Sequence, residues 1–181
     1  MGAKLVKYSV QSFAKMMLIG KGVRLRMDVG LDDSTITDLW DSMARDGSLD
    51  ALLALPARLA QDPDTVGWMG DFQPGDEAYT YLAGVLVQPG TVVPAGFSAR
   101  DIAACDMAVG WIQATDDAEG GDLHANAFEL MAAAAKEHGF EFDASNGFFE
   151  FETYSYARFR GPEKRGEPVI LDYYSPCKKV S

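Results

Sequence analysis

Two glutamates near the end of the chain are the residues best placed, by type and spacing, to do chemistry. They stand as Glu150 and Glu152 in segment 147–156, Gly-Phe-Phe-Glu-Phe-Glu-Thr-Tyr-Ser-Tyr. If this segment is a strand, alternation puts both glutamates on one face with Tyr154 and Tyr156, and puts phenylalanines on the other. A carboxylate held away from water can pair with a cation or act as a general acid or base. Exposure of both glutamates to solvent is the alternative that the strand alone leaves open.

Aromatic residues in the other predicted strands could form the walls of such a site. Tyr79 and Tyr81 share one face of a predicted strand. Tyrosine offers an apolar body and a polar tip, which suits the wall of a ligand cleft. Trp68 and Trp111 lie in the middle of predicted strands, where an indole could stack on a planar ligand. Ordinary core packing is the alternative for each of them, and it is the interpretation we favour for Trp40, on the apolar face of a predicted helix.

The sequence lacks the residue patterns of several other kinds of catalytic or binding site. His124 and His138 lie at opposite ends of one predicted helix, too far apart to bind one metal ion together. The segment Gly96-Phe97-Ser98-Ala99-Arg100 lacks the glycine that a nucleophile elbow needs two residues after its serine. No phosphate-binding loop or dinucleotide fingerprint is present. Cys105 and Cys177 are widely separated, and we expect free thiols. We therefore expect no metal and no cofactor.

The charge of the chain bears on its partners. The 181 residues include 27 acidic and 16 basic side chains, which give a net charge of −11. This balance argues against nucleic acid and against an anionic membrane surface, since both require clustered lysine and arginine. No apolar run approaches the roughly 20 residues of a membrane-spanning helix, and no signal-peptide core is found. We expect a cytoplasmic protein whose scattered acidic residues form a solvated surface.

The predicted elements repeat in order along the chain. The first half, about 17–87, reads strand 17–27, helices 35–60, strand 65–72 and strand 77–87. The second half, about 105–175, reads strand 105–114, helix 123–138, strand 147–156 and strand 168–175. A bulge or turn is predicted at Gly20 and Gly22, and turns or loops are predicted at Pro74-Gly75 and at 88–104, 116–122 and 160–166.

This order predicts an α+β fold in which duplicated β-α-β-β units form a pseudo-two-fold, mostly antiparallel sheet with helices on one face. We expect one domain over residues 1–181, with a central ligand cleft. The helices would cover the phenylalanine face of segment 147–156. The glutamates would then lie on the open face, where the cleft forms.

Three stretches resemble a known family. They are Thr37-Asp38-Leu39-Trp40 in a helix, Tyr79-Thr80-Tyr81-Leu82-Ala83-Gly84-Val85 followed by Pro94-Ala95-Gly96-Phe97, and Phe151-Glu152-Thr153-Tyr154 followed by Ile170-Leu171-Asp172-Tyr173-Tyr174-Ser175-Pro176. In this order, over about residues 17–177, they resemble the GyrI-like small-molecule-binding domain. That domain is also the effector-binding domain of AraC-type and MerR-type multidrug regulators.

The resemblance implies a cleft between two halves, lined by aromatic residues and holding one buried acidic residue. It favours Glu152 for that residue, with Glu150 as the second candidate, and it adds Phe97 to the walls. Members of this family bind hydrophobic, often cationic compounds, and one subset hydrolyses strained toxic molecules. No helix-turn-helix precedes the domain in this chain, and Gly110 stands where members commonly carry a bulky residue.

Three functions are therefore open. The first is a stand-alone binding protein for hydrophobic, aromatic or cationic small molecules. The second is a hydrolase in the same cleft, with Glu152 as its catalytic residue. The third is a protein-interaction inhibitor similar to gyrase inhibitors. The expected ligand-binding residues are Glu152, Glu150, Tyr154, Trp68, Tyr79, Tyr81, Phe97 and Trp111.

Overall fold

Nine strands and three α-helices are seen in the computed structural model, which describes residues 2–27, 34–60, 62–72, 75, 77–115, 121–160 and 168–180. The strands are β1 (Lys4–Phe13), β2 (Met16–Arg26), β3 (Thr65–Gly70), β4 (Ala78–Val87), β5 (Ser98–Ile102), β6 (Cys105–Thr115), β7 (Phe140–Phe142), β8 (Glu150–Tyr154) and β9 (Pro168–Lys179). The helices are α1 (Ser34–Arg45), α2 (Ser48–Leu53), α3 (Gly121–Glu137) and a short π-helix (Tyr156–Arg160).

The strands form one sheet in the order β1-β6-β9-β8-β3-β4-β2-β5, and β7 pairs with β9. Every neighbouring pair is antiparallel. The order is symmetric about the β8–β3 pair, because β9 and β6 follow β8 outward just as β4 and β2 follow β3. The predicted α+β fold with a repeated β-α-β-β order is thus confirmed, while β1 and β5 lie outside the repeat at the two edges.

The glycines of β2 serve close packing between strands. Gly20 and Gly22 lie inside a continuous strand, so the predicted bulge or turn there is wrong. Gly20 lies opposite Gly84 of β4, and a Cβ on either would come within about 2.1 Å of a backbone oxygen of the other strand. Such a contact is impossible, so the two strands approach closely only because both residues are glycine.

Several predicted boundaries differ from the structure. The predicted loop 88–104 contains β5, which pairs with the edge of β2, and β7 was not predicted. Strand 147–156 is shortened at both ends to β8, and after its C-terminal end the chain turns into the π-helix at Tyr156. Pro74 and most of the predicted loops 116–122 and 160–166 lie outside the described residues.

The three helices cover one face of the sheet, called here the helix face. Met43 of α1 and Leu52 of α2 are buried against β2 and β4, and α3 buries Leu123, Ala127 and Met131 against β6 and β9. The opposite side, called the helix-free face, carries its own buried cluster. Its core residues are Met16, Leu18, Val66, Trp68, Leu82, Ile102, Met107 and Phe151.

Candidate functional site

The glutamates of β8 lie on the helix face. Alternation along the strand is confirmed, since Glu150, Glu152 and Tyr154 face one way and Phe151 faces the other. The predicted assignment of the faces is wrong, however, because Phe151 lies on the helix-free face. Period two shows which residues share a face but not which face the helices cover. Phe151 needs no helix for burial, since Tyr174 stacks on it with ring centroids 4.5 Å apart.

A chain of hydrogen bonds crosses the middle of the helix face and ends at Glu152. The indole Nε1 of Trp40, on α1, donates to the hydroxyl of Tyr81 at 3.1 Å. The hydroxyls of Tyr81 and Tyr154 lie 3.2 Å apart, and Tyr154 donates to Oε1 of Glu152. Because an indole can only donate and Tyr154 already donates to Glu152, Tyr81 donates to Tyr154. All three donors are therefore oriented toward the carboxylate.

The second oxygen of Glu152 contacts α3. Its Oε2 lies 3.0 Å from Nδ1 of His124. Glu152 is only 4% exposed, whereas the side chain of His124 is 28% exposed. The imidazole thus lies between the buried carboxylate and solvent. The two ends of this network belong to the two halves of the fold, Trp40 to the first and His124 to the second.

Glu150 forms a neighbouring buried carboxyl site. The hydroxyl of Tyr173 donates to its Oε2 at 2.5 Å, and Oγ of Ser175 donates to its Oε1 at 3.3 Å. Burial raises the pKa of Glu150 to about 7, and the nearby charge of Glu152 acts in the same direction. Burial also raises the pKa of Tyr154 and of Tyr173 well above the usual range, so both phenols keep their protons and act as donors.

No arginine or lysine that the structure describes neutralises this acidic centre. Among the described residues, neither Glu150 nor Glu152 has a lysine or arginine nitrogen within ion-pairing distance. Within the described part of the chain, His124 is the partner of Glu152 that can carry a positive charge. A buried carboxylate without a full countercharge is costly, so this centre favours the approach of a cation.

The structure separates the remaining predicted site residues. Tyr79 and Phe97 lie on the helix face, where they pack at the edge of the cluster formed with α1 and α2. Trp68 lies on the helix-free face and stacks on Phe149 with ring centroids 6.3 Å apart. Trp111 contacts two cations, with Nζ of Lys7 4.1 Å and the guanidinium of Arg158 4.7 Å from its ring.

Arg158 pairs with Asp172, which alternates with Tyr173 on β9 and so lies on the helix-free side. The sheet therefore stands between the two tryptophans and Glu152, and they do not share a site with it.

Sequence reasoning missed two members of the network. The distance from His138 excludes His124 from a shared metal site, but His124 directly follows Leu123, a member of the buried stripe of α3. A histidine beside such a stripe lies at the edge of the helix–sheet contact, and this position was the available signal. Trp40 does pack against the core, but its N–H also donates into the network.

Metal-ligand groups, thiols and helix length can be checked in the part of the chain that the structure describes. No three histidine, cysteine, aspartate or glutamate side chains are grouped there so that they could hold a metal ion. Cys105 and Cys177 are free thiols. No helix among these residues is both long enough and apolar enough to cross a membrane.

Comparison with known proteins rests on the fold. No protein-family model matches this sequence, and no curated protein matches it. The structure of SAV2435 bound to tetraphenylphosphonium aligns with a TM-score of 0.67 and 14% identity, over 96% of this chain and 94% of that chain. The EcmrR C-terminal domain aligns with a TM-score of 0.61 and 11% identity, over 96% and 98% of the two chains.

A third solved structure is an integron cassette protein from the mobile metagenome of Vibrio cholerae. It aligns with a TM-score of 0.61 and 12% identity, over 98% of this chain and all of that chain. At such low identity these likenesses establish the fold alone. This chain has the GyrI-like fold, as its sequence resemblance implied.

Proposed function

We propose that this protein binds hydrophobic, aromatic cations on the helix face, with Glu152 as the residue that pairs with the positive charge. The observation that carries the proposal is the buried Glu152 carboxylate, which has hydrogen-bond donors on both oxygens but no lysine or arginine partner among the described residues. A bound cation would supply the missing charge in a site that excludes water, where such a contact is strong.

The side chains around Glu152 suit an aromatic ligand. The indole of Trp40 meets the ring of Tyr154 edge-on at 5.6 Å, and the imidazole of His124 lies 6.4 Å from the same ring. Trp40 and His124 are half-buried and belong to different helices. A ligand that reaches Glu152 between α1 and α3 would therefore contact aromatic faces on both sides, which favours cations through their attraction to ring electrons.

The comparison with SAV2435 supports the same ligand class. That protein was solved with tetraphenylphosphonium, which carries one positive charge inside four phenyl groups. Shared fold alone does not transfer a ligand, so the proposal for this chain stands on its own buried carboxylate and aromatic neighbours.

Titration calorimetry of the wild-type protein tests the proposal. Tetraphenylphosphonium is compared with the neutral triphenylphosphine oxide, which has no net charge and an oxygen in place of the fourth phenyl group. We expect a saturable one-to-one isotherm for the cation, weaker binding of the oxide, and recovery of both compounds unchanged. Equal affinity for the two compounds, or no saturable binding of the cation, would contradict the proposal.

Hydrolysis at the same carboxylate is a second candidate function, favoured by the contact between Glu152 and His124. A carboxylate that orients an imidazole is a common arrangement for a general base acting on water. In that case the protein would consume a strained or activated substrate at concentrations far above its own. A ligand that emerges unchanged supports the binding function instead.

A further inference from the structure

The helix-free face contains a cavity of about 370 Å³. It lies between the sheet, where Val66, Phe151 and Tyr174 line it, and the segment after α2 that carries Arg58 and Leu59. Its volume falls within the range of about 300–1,000 Å³ that small-molecule sites occupy. Phe151 and Glu152 are consecutive on β8 and face opposite ways, so the sheet separates this cavity from the carboxylate on the helix face.

Four charged side chains line this cavity, and two of them neutralise each other. Arg158 donates from Nε to Oδ1 of Asp172 at 3.0 Å and from a terminal nitrogen to Oδ2, so the pair is bidentate. The side chain of Asp172 is only 4% exposed. Asp64 is the second carboxylate, and its Oδ1 accepts the backbone N–H of Tyr156 at 2.8 Å.

Arg58 is the remaining cation, and it has a donor without an acceptor. One terminal nitrogen of its guanidinium donates to the backbone oxygen of Asp62 at 2.9 Å. Its Nε–H is buried and has no hydrogen-bond acceptor among the described residues, and no described carboxylate pairs with it. A buried donor that has lost water and gained no partner is unfavourable. Because Nε has no surface open to the cavity, the guanidinium must turn toward the cavity before an acceptor on a bound molecule can relieve that cost.

The backbone holds Arg58 at the wall of the cavity. Leu59 N donates to Leu86 O at 2.9 Å, and Gln88 N donates to Ala57 O at 2.9 Å, so hydrogen bonds to the end of β4 flank Arg58 on both sides. The guanidinium therefore extends from an anchored position. Anchoring reduces the entropy that a ligand contact would otherwise cost.

We propose that this cavity is a second binding site, for apolar molecules that carry a carboxylate, and that Arg58 pairs with the carboxylate. The Nε–H edge of a guanidinium presents two parallel donors that match the two oxygens of a carboxylate. The apolar part of the ligand would lie along Phe13, Met16, Leu86 and Tyr174. This site lies on the other face of the sheet from the proposed cation site, and its ligand carries the opposite charge. The proposal of this site does not depend on the proposed function.

Calorimetry with three naphthalene derivatives tests the site: 2-naphthoate, 2-naphthylmethanol and 2-naphthylmethylamine. We expect 2-naphthoate to bind the wild-type protein more tightly than the alcohol or the amine. In Arg58→Met, which keeps side-chain length but removes charge and donors, its affinity should fall by about tenfold or more. The matched control is Arg45→Met, at an exposed position on α1, where the affinity should not change.

A second variant keeps the test decisive if Arg58→Met unfolds. Leu86→Trp places a larger side chain in the cavity and should abolish binding of all three compounds, while its far-UV circular dichroism spectrum stays that of the wild type. Three results would overturn the proposal. One is 2-naphthoate binding no tighter than the alcohol. Another is tighter binding of the amine than of 2-naphthoate, with that preference lost in Asp64→Asn. Asp64 would then be the residue that selects the ligand. The third is loss of 2-naphthoate binding in Glu152→Gln with wild-type binding in Leu86→Trp, which would place the ligand on the helix face.

Discussion

Gly67 on β3 lies directly opposite Glu152 on β8, and the absent side chain of Gly67 makes room for the hydrogen-bond network. A Cβ at Gly67 would lie 2.2 Å from the hydroxyl of Tyr81 and 3.1 Å from Oε1 of Glu152. The two residues occupy the centre of the symmetric strand order. One half of the repeat thus contributes the carboxylate, and the other contributes the space that the carboxylate and its tyrosines occupy.

Gly67→Ala should destabilise the protein and disturb the network. Tyr81 is almost fully buried, so its hydroxyl cannot move away without disturbing its neighbours. We expect a loss of about 1–3 kcal/mol in the free energy of unfolding, the usual cost of overpacking a core. Urea denaturation of the variant and the wild type measures it.

The double variant Gly67→Ala/Tyr81→Phe provides the control. Removing the hydroxyl removes the closest contact of the new methyl group, so the double variant should lose less stability than the sum of the two single changes. Simple additivity would show that the methyl group is accommodated in another way and that Gly67 has no special relation to the network.

Glu150 should make the stability of the protein depend on pH between pH 4.5 and 7. Its pKa rises from an ordinary value of 4.5 to about 7 in the folded protein, mainly because of burial. Below pH 4.5 the carboxyl group is protonated in both states. Between pH 4.5 and 7 the unfolded chain releases this proton while the folded protein retains it, so stability falls as pH rises and then stays reduced.

The size of this effect is at most about 3 kcal/mol, from the shift of the Glu150 pKa. Glu150→Gln cannot ionise, so its free energy of unfolding should vary less between pH 4.5 and 8 than that of the wild type. Glu129→Gln, at an exposed position on α3, should retain the wild-type slope. The idea fails if Glu150→Gln and the wild type show parallel profiles.

Arg158→Met should be costly because it leaves the buried Asp172 without its partner. Burial already raises the pKa of Asp172 in the presence of Arg158. Since Arg158 is partly exposed, we expect a loss of about 2–3 kcal/mol at pH 7 rather than the full cost of breaking a buried pair. The loss should shrink at pH 4, where Asp172 takes up a proton more easily. Thermal unfolding at both pH values measures the difference, and an equal loss at both would contradict the account.

Some features of this fold and site can be predicted from the sequence, and others cannot. The repeated element order and the shared face of Glu150, Glu152 and Tyr154 follow from periodicity, which depends only on local backbone geometry. The face that the helices cover does not follow from it, because β8 has large side chains buried on both sides. The contact of His124 with Glu152 spans 28 residues, and only the packing of α3 on the sheet creates it.

We predict that this chain does not bind DNA. The net charge of −11 opposes the approach of phosphates, and specific binding needs arginine or lysine against the DNA backbone. Titration of short random duplexes at physiological salt, followed by fluorescence anisotropy, should show no change. Binding that weakens steadily as salt is added would refute this prediction.

The central claim is that Glu152 provides the charge that selects a cationic ligand, and the affinity ratio of tetraphenylphosphonium to triphenylphosphine oxide in Glu152→Gln tests it most directly. Glutamine keeps the size of the side chain but removes its charge, so the cation should lose about 1–3 kcal/mol of binding free energy while the neutral oxide loses little. Glu137→Gln, at an exposed position on α3, should keep the wild-type ratio. A ratio in Glu152→Gln equal to that of the wild type would contradict the account, and Glu150 would then be the carboxylate to examine.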